Sequence, residues 1–176
     1  LPLFGKVKTF LFDSLTAISL RPGPPPSTSS EKMRNETEEI NQIGKTLTRE
    51  QIAIAHFWAD GISTPTPPGH WNAIAADDFL QQQFSEVRWA RNLALLNMSL
   101  MDAAIVCWDA KFFYFNPRPT QLNTSIKTIT GTPNFPAYIS GHSTFSGAAA
   151  TILGHIIPGN ATKYQEMALE ASRSRM

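Results

Sequence analysis

The chain has 176 residues, 16% of them charged, and a formal net charge of +1. That length suits one core rather than two comfortable domains, and a near-neutral balance gives no bulk attraction to nucleic acid or an acidic membrane. The charged share is well below the roughly 25% of ordinary domains, which points to much buried surface or to contact with further parts of the same polypeptide or a second copy. The single cysteine, Cys107, excludes an internal disulfide.

Residues 7–20 open with Lys6 and Lys8 before an apolar run, but Asp13 and Ser14 interrupt it and no small-residue cleavage site follows, so it is not read as an export signal. No apolar run reaches the ~18 residues that would span a bilayer. Arg21-Pro-Gly-Pro-Pro-Pro26 reads as a rigid, extended strap, because each proline fixes its own φ and restrains the residue before it. Residues 29–43 are polar, with Glu36, Glu38 and Glu39 clustered, and read as a solvated helix or loop. Thr48-Arg-Glu-Gln51 has capping-box spacing. The helix it opens carries Ile52, Ala55, His56 and Ala59 on one face, with His56 a surface or core histidine rather than a ligand. Pro65, Pro67 and Pro68 break the chain before a second helical segment, from His70-Trp71-Asn72 to about Gln82, in which His70 and Trp71 shape the core or a site wall.

The longest helical pattern runs over 85–113. Ala90, Leu93, Ala94, Asn97, Met101, Ala104, Ile105, Trp108 and Lys111 fall near one stripe, which carries Lys111 to the buried side one turn past Trp108. A buried ammonium is costly unless an anion meets it; Asp102 or Asp109 could serve, or a bound oxyanion could. Pro117 and Pro119 hold Arg118 in an irregular segment where its planar fork can grip two oxygens. Residues 121–131 read as a polar surface loop. Four Asn-x-Ser/Thr sequons, at Asn35, Asn97, Asn123 and Asn160, carry little weight, since Asn97 falls within a helix.

At Asn134–Ala150 a proline-broken approach leads into Ser140-Gly141-His142 and a small-residue helix. A helix start has unpaired N–H groups and partial positive charge. Gly141 permits close approach of a ligand, Ser140 adds a hydroxyl donor, and His142 can exchange a proton near neutral pH. A simple N-cap at Ser140 is the plainer reading of the same tripeptide. Pro158-Gly159-Asn160 then turns the chain into a last helix over 162–176. With no strand pattern and no internal repeat, the class is all-α.

Lys111-x6-Arg118-Pro119, with Ser140-Gly141-His142 beginning 20 residues beyond, resembles the first two signatures of the vanadium-dependent haloperoxidases and type 2 phosphatidic acid phosphatases. Ser174-Arg175 resembles the start of the third, with Ser172-Arg173 as the alternative register; the histidine and carboxylate that complete it are not among these residues. Pro-Gly-Pro-Pro, Trp71-Asn72 and Trp108-Asp109-Ala110-Lys111 are similar to the bacterial haloperoxidase-like branch. Ile139 stands where the family has proline, and Pro117 where an aromatic is common.

The resemblance implies a helical bundle of the haloperoxidase and acid phosphatase type, of which residues 1–176 are one domain's worth, incomplete at both ends. It implies vanadate as cofactor, or phosphate in the phosphatases. Lys111, Arg118 and Arg175 would neutralise the oxyanion, Ser140 and the Gly141 N–H would donate to it, and His142 and Lys111 would take the catalytic roles. Trp108 and Phe135 would form an aromatic wall, and no residue of this chain would ligate a metal directly. In the correct register Arg175 faces the pocket and Arg173, about 200° around the helix, does not. The activity implied is halide oxidation by hydrogen peroxide. The alternatives are hydrolysis of a phosphate ester in the same pocket, or an inactive oxyanion-binding fragment. The family further implies a periplasmic or secreted location.

Overall fold

The structure, a computed structural model, describes residues 2–175 and contains no strand among them. Eight α-helices follow in order: α1 Ser14–Ser19, α2 Glu31–Lys45, α3 Arg49–Phe57, α4 Thr66–Gln81, α5 Glu86–Tyr114, α6 Pro119–Leu122, α7 Gly141–Ile156 and α8 Ala161–Arg173. Short 3-10 turns stand at Phe4–Lys6 and Pro158–Asn160. The all-α expectation is met.

Helix α7 is the hub, packed against both α8 and α5, with α4 closing a third side. Its Phe145, Ala149, Ala150 and Leu153 are buried with Trp71, Ala75 and Phe79 of α4, Leu96 and Leu100 of α5, and Tyr164, Ala168 and Ala171 of α8. Alanines on α7 let the helix axes come close, while the aromatics of α4 and α8 fill the remaining volume. One polar network stitches this core. The buried Asp78 carboxylate accepts from Lys163 at 2.8 Å and from the Tyr164 hydroxyl at 2.6 Å, and burial together with that carboxylate pushes the Tyr164 phenol out of the normal titration range. Asp78→Ala strands the buried Tyr164 hydroxyl and leaves the half-exposed Lys163 to water, so denaturation should show a loss of about 1–3 kcal/mol.

Several helix starts follow their local chemistry. Thr48 and Gln51 form the expected reciprocal capping box. Helix α4 begins at Thr66, earlier than the prolines suggested, because Pro67 and Pro68 sit in a first turn that has no N–H partner to lose. Residues 31–45 are helical rather than looped, opened by Ser30, whose hydroxyl accepts from the Met33 N–H.

Two faces read from spacing need correction. In α3, Ile52 is exposed and His56 is a surface histidine; Ala55 and Trp58 are buried and Ile54 packs beside them, so the inward face is rotated by about one residue. The indole of Trp58, with its N–H on Glu170 at 2.8 Å, sets that rotation. In α5, Ala90, Ala94 and Asn97 are exposed, and Leu96 and Leu100 are buried instead. The larger side chains win the core. The C-terminal half of the stripe keeps its predicted orientation through Ala104, Ile105 and Lys111.

That half of α5 is covered from several directions. The Phe4–Lys6 turn lies so close that a Cβ on Gly5 would stand 2.5 Å from the Asp109 backbone. Asp102 accepts from the N–H groups of Phe10 and Leu11 at 2.8 and 2.9 Å. Arg21 pairs with Asp109, which Lys6 also reaches at 3.3 Å. The proline strap beyond Arg21 is pinned by Tyr114 on the Pro22 carbonyl at 2.5 Å and by Tyr138 on that of Gly23 at 2.7 Å. By length and composition α5 is apolar enough to cross a bilayer, contrary to the expectation from run lengths. In this fold it is the helix that α4, α7 and the N-terminal segment pack around.

Candidate oxyanion site

The last turn of α5 delivers Lys111 into the interior, where it is 1% exposed. The two carboxylates that could have met it are engaged elsewhere, Asp109 by Arg21 and Lys6, Asp102 by backbone N–H groups. Its ammonium instead donates to the Pro136 and Ala137 carbonyls at 2.9 and 3.1 Å, and its charge lies 5.0 Å from the centroid of the Phe135 ring. Burial, with Arg118 as a nearby like charge, lowers its pKa to about 8.

Arg118 reaches the same loop from the other side of the Phe115–Pro117 turn. Its Nε and Nη2 both donate to the Phe135 carbonyl, at 3.1 and 2.8 Å. Gln121 holds its backbone in place by accepting the Arg118 N–H at 2.8 Å. Burial pushes the guanidinium pKa down, which marks a partly desolvated charge. Neither Lys111 nor Arg118 has a carboxylate partner among the described residues. Two cations therefore converge on Phe135–Ala137, immediately before Ser140.

Ser140 caps α7. Its hydroxyl oxygen accepts from the Ser143 N–H at 3.2 Å, and its carbonyl from Thr144. Capping uses a lone pair and leaves the hydroxyl hydrogen free to donate. The N-cap reading and the donor reading are thus compatible. Gly141 and His142 occupy the first turn, where backbone N–H groups have no intrahelical partner. A Cβ on Gly141 would meet Trp108 at 3.8 Å, an ordinary contact, so the position is close to the aromatic wall without being closed by it. The Trp108 and Phe135 ring centroids lie 5.2 Å apart.

His142 is placed with a different set of groups. Burial first, then Arg175, lowers its pKa below the usual histidine value, while Asp60 and the Trp58 and Ala59 backbone act to raise it. Its Nε2 is buried without a hydrogen-bond partner, as is the Trp108 Nε1. Arg175 donates to the Ala55 carbonyl at 2.9 Å and is half-buried, whereas Arg173 is exposed. Lys111 and Arg118 thus share the 135–137 loop, His142 and Arg175 share the end of α3, and Gly141 beside Trp108 lies between the two sets in sequence.

Asp60 is the residue that sequence reasoning missed. It follows α3 with a φ of 45°, accepts from or donates to nothing predicted by a spacing rule, and pairs with His70 Nδ1 at 3.1 Å. Its charge reaches both His142 and Arg175. Only the positive φ of a short polar side chain in Ala59-Asp60-Gly61 would have drawn notice. His70, stacked on Trp58 with centroids 4.6 Å apart, is a wall residue as expected.

The buried Lys111 and half-buried Arg118 without carboxylates, the first-turn N–H groups and the spare Ser140 hydroxyl hydrogen are donor types that an oxyanion site uses. Among the described residues no cluster of His, Cys, Asp or Glu could hold a metal ion directly. Residues 92–176 match the model of the PAP2 superfamily, and the proteins of known activity that the chain is similar to are vanadium-dependent haloperoxidases. The chain is 30% identical over 129 residues to the vanadium chloroperoxidase of Curvularia inaequalis, with 56% of this chain and 21% of the relative covered. Its fold is similar to the crystal structure of a bacterial vanadium-dependent iodoperoxidase, with a TM-score of 0.87 and 28% identity, covering 99% of this chain and 50% of that one. The chain therefore spans about half the length of the one and about a fifth of the other.

Proposed function

We propose that the chain binds vanadate and takes part in the oxidation of a halide by hydrogen peroxide. The observation that carries this reading is the buried Lys111 and the half-buried Arg118, both turned to the approach to α7 with no carboxylate to neutralise them. A tetrahedral anion would supply that charge. Arg118, Lys111 and Arg175 would hold it, with hydrogen bonds from the Ser140 hydroxyl and the Gly141 N–H. Bound vanadate supplies the Lewis-acidic centre at which peroxide becomes an oxidant for halide.

The protein's own contribution is charge placement and proton movement. His142, held neutral through the neutral range by burial and by Arg175, can accept a proton at Nε2, the atom that has no partner. Lys111, with a pKa near 8, is a charged donor at neutral pH that can follow developing negative charge. Trp108 and Phe135 keep water from one side of the site. Relatives named for different halides, chloride and iodide, leave the halide to experiment. The same resemblance supports a periplasmic or secreted location as part of this proposal.

The reading is tested by bromination of an activated phenol. Turnover should require both vanadate and hydrogen peroxide, and phosphate should inhibit it. Hydrolysis of an aryl phosphate, inhibited by vanadate and independent of peroxide, would replace the haloperoxidase reading with the phosphatase one. Within the assay, His142→Ala should lower turnover by roughly 10²–10⁴ while vanadate affinity changes little, because its assigned task is proton transfer. Loss of vanadate binding with turnover preserved would contradict that role.

A further inference from the structure

Helix α2 stands away from the bundle. It is amphipathic, with Met33 and Thr37 buried on its inner side and Ile40 half-buried in line with them. Its ties to the rest are few: a contact with α6, and Asn41, whose side-chain oxygen accepts from the Ser125 hydroxyl at 3.3 Å. Between α2 and the body lies a cavity of about 440 Å³. Its roof is Met33, Thr37 and Ile40; its opposite wall includes Pro117, Pro119, Leu122, Ala137 and Ser140; the proline strap closes one end.

Three properties of this space point to an occupant. Its volume falls within the ~300–1,000 Å³ of small-molecule sites. Met33, Ile40, Leu122 and the prolines give it apolar walls, and the two charges that also line it, Lys32 and Glu36, are an exposed pair at 3.9 Å that offset one another. A few neutral polar groups, Thr37, Asn116 and Ser140, could orient a hydroxyl. The third property is position. Ser140 and Ala137 belong both to this cavity and to the oxyanion site, since Ala137 accepts from Lys111 and Ser140 caps the helix that carries His142. The pinned strap, held by Tyr114 and Tyr138, keeps the far wall in place without a ligand.

We infer that this cavity binds the organic acceptor of the halogen, a neutral, electron-rich aromatic of one to three rings carrying a hydroxyl. The inference rests on the haloperoxidase reading. Halide, hydrogen peroxide and one proton give hypohalous acid and water at the oxyanion site. In the adjoining cavity a ring carbon of the acceptor takes the halogen as the oxygen–halogen bond breaks, the ring gives up its proton, and hydroxide and proton leave as water. A held acceptor is halogenated with saturation and with a fixed regiochemistry. A freely diffusing oxidant gives neither.

The probe is 2-naphthol, and its binding is read by saturation-transfer NMR separately from activity. The wild-type protein should bind it saturably, and Ile40→Trp, which fills the cavity from α2, should weaken that binding about tenfold or more. Vanadate affinity should be unchanged in the variant. Met33→Trp enters from the same helix one turn pair away and should act alike, so that one unfolded variant, seen by circular dichroism, leaves the comparison intact. Unsaturable binding, or equal affinity in both folded variants, overturns the cavity assignment while leaving the vanadate reading standing. Saturable naphthol binding in a protein that takes no vanadate overturns the acceptor role together with the function on which it rests.

Discussion

Arg118→Ala should lower vanadate affinity by roughly 10²–10³. A charge-assisted bidentate contact combines two hydrogen bonds of about 1.5–3 kcal/mol each, not fully additive. Arg118→Lys should recover only part of it, since a lysine restores the charge and not the fork. The guanidinium now grips the Phe135 carbonyl with both Nε and Nη2, so the geometry for a two-pronged contact is already built. Isothermal titration of vanadate into the three proteins measures the effect. Equal affinity in wild type and Arg118→Ala would show that Arg118 merely ties down the 135–137 loop.

Lys111→Met should do two things of opposite sign. It should abolish tight vanadate binding, and it should make the ligand-free protein more stable by about 1–4 kcal/mol at neutral pH, because it removes a buried charge that no carboxylate compensates. A lysine retained for structure would give the reverse, since losing its bonds to Pro136 and Ala137 would destabilise the loop. The pH dependence sharpens the distinction. With its folded pKa lowered to about 8 from the ordinary 10.5, the folded protein releases the Lys111 proton before the unfolded chain does. Between those values the unfolded state binds more protons, so stability rises with pH. Wild type should therefore gain on Lys111→Met by about 3 kcal/mol between pH 8 and pH 10.5. Denaturant melts of both proteins across that window measure it. Vanadate binding should weaken over the same range as the ammonium is lost.

Much of this was legible before the fold was known, for identifiable reasons. Helical spacing placed Lys111 inside because large apolar residues around it, Ile105 and Trp108, leave little choice over the last two turns of α5. The same periodicity misjudged Ala90 and Ala94, since alanine is nearly indifferent to burial and Leu96 and Leu100 decided the rotation. Ser140-Gly141-His142 was legible as a helix start because cap residues act locally. Arg175 is half-buried and Arg173 exposed, but α8 ends at Arg173, so the turn beyond it and not helical angle alone places Arg175. What could not be read was anything depending on two distant segments. The competition for Lys111 was settled by Arg21 and Lys6, some 90 to 100 positions upstream, which claim Asp109. Asp60 reaches His142 across the loop after α3, and the cavity exists only because α2 folds back over Pro117 and Ser140.

The central claim is that Lys111 and Arg118 are held unpaired for an oxyanion. Its most direct measurement is a titration of vanadate into the wild-type protein at pH 7, repeated in the presence of phosphate. The account predicts one saturable site, with phosphate raising the apparent Kd in proportion to its concentration and leaving the stoichiometry at one. No saturable binding, or vanadate binding that phosphate does not affect, would contradict it.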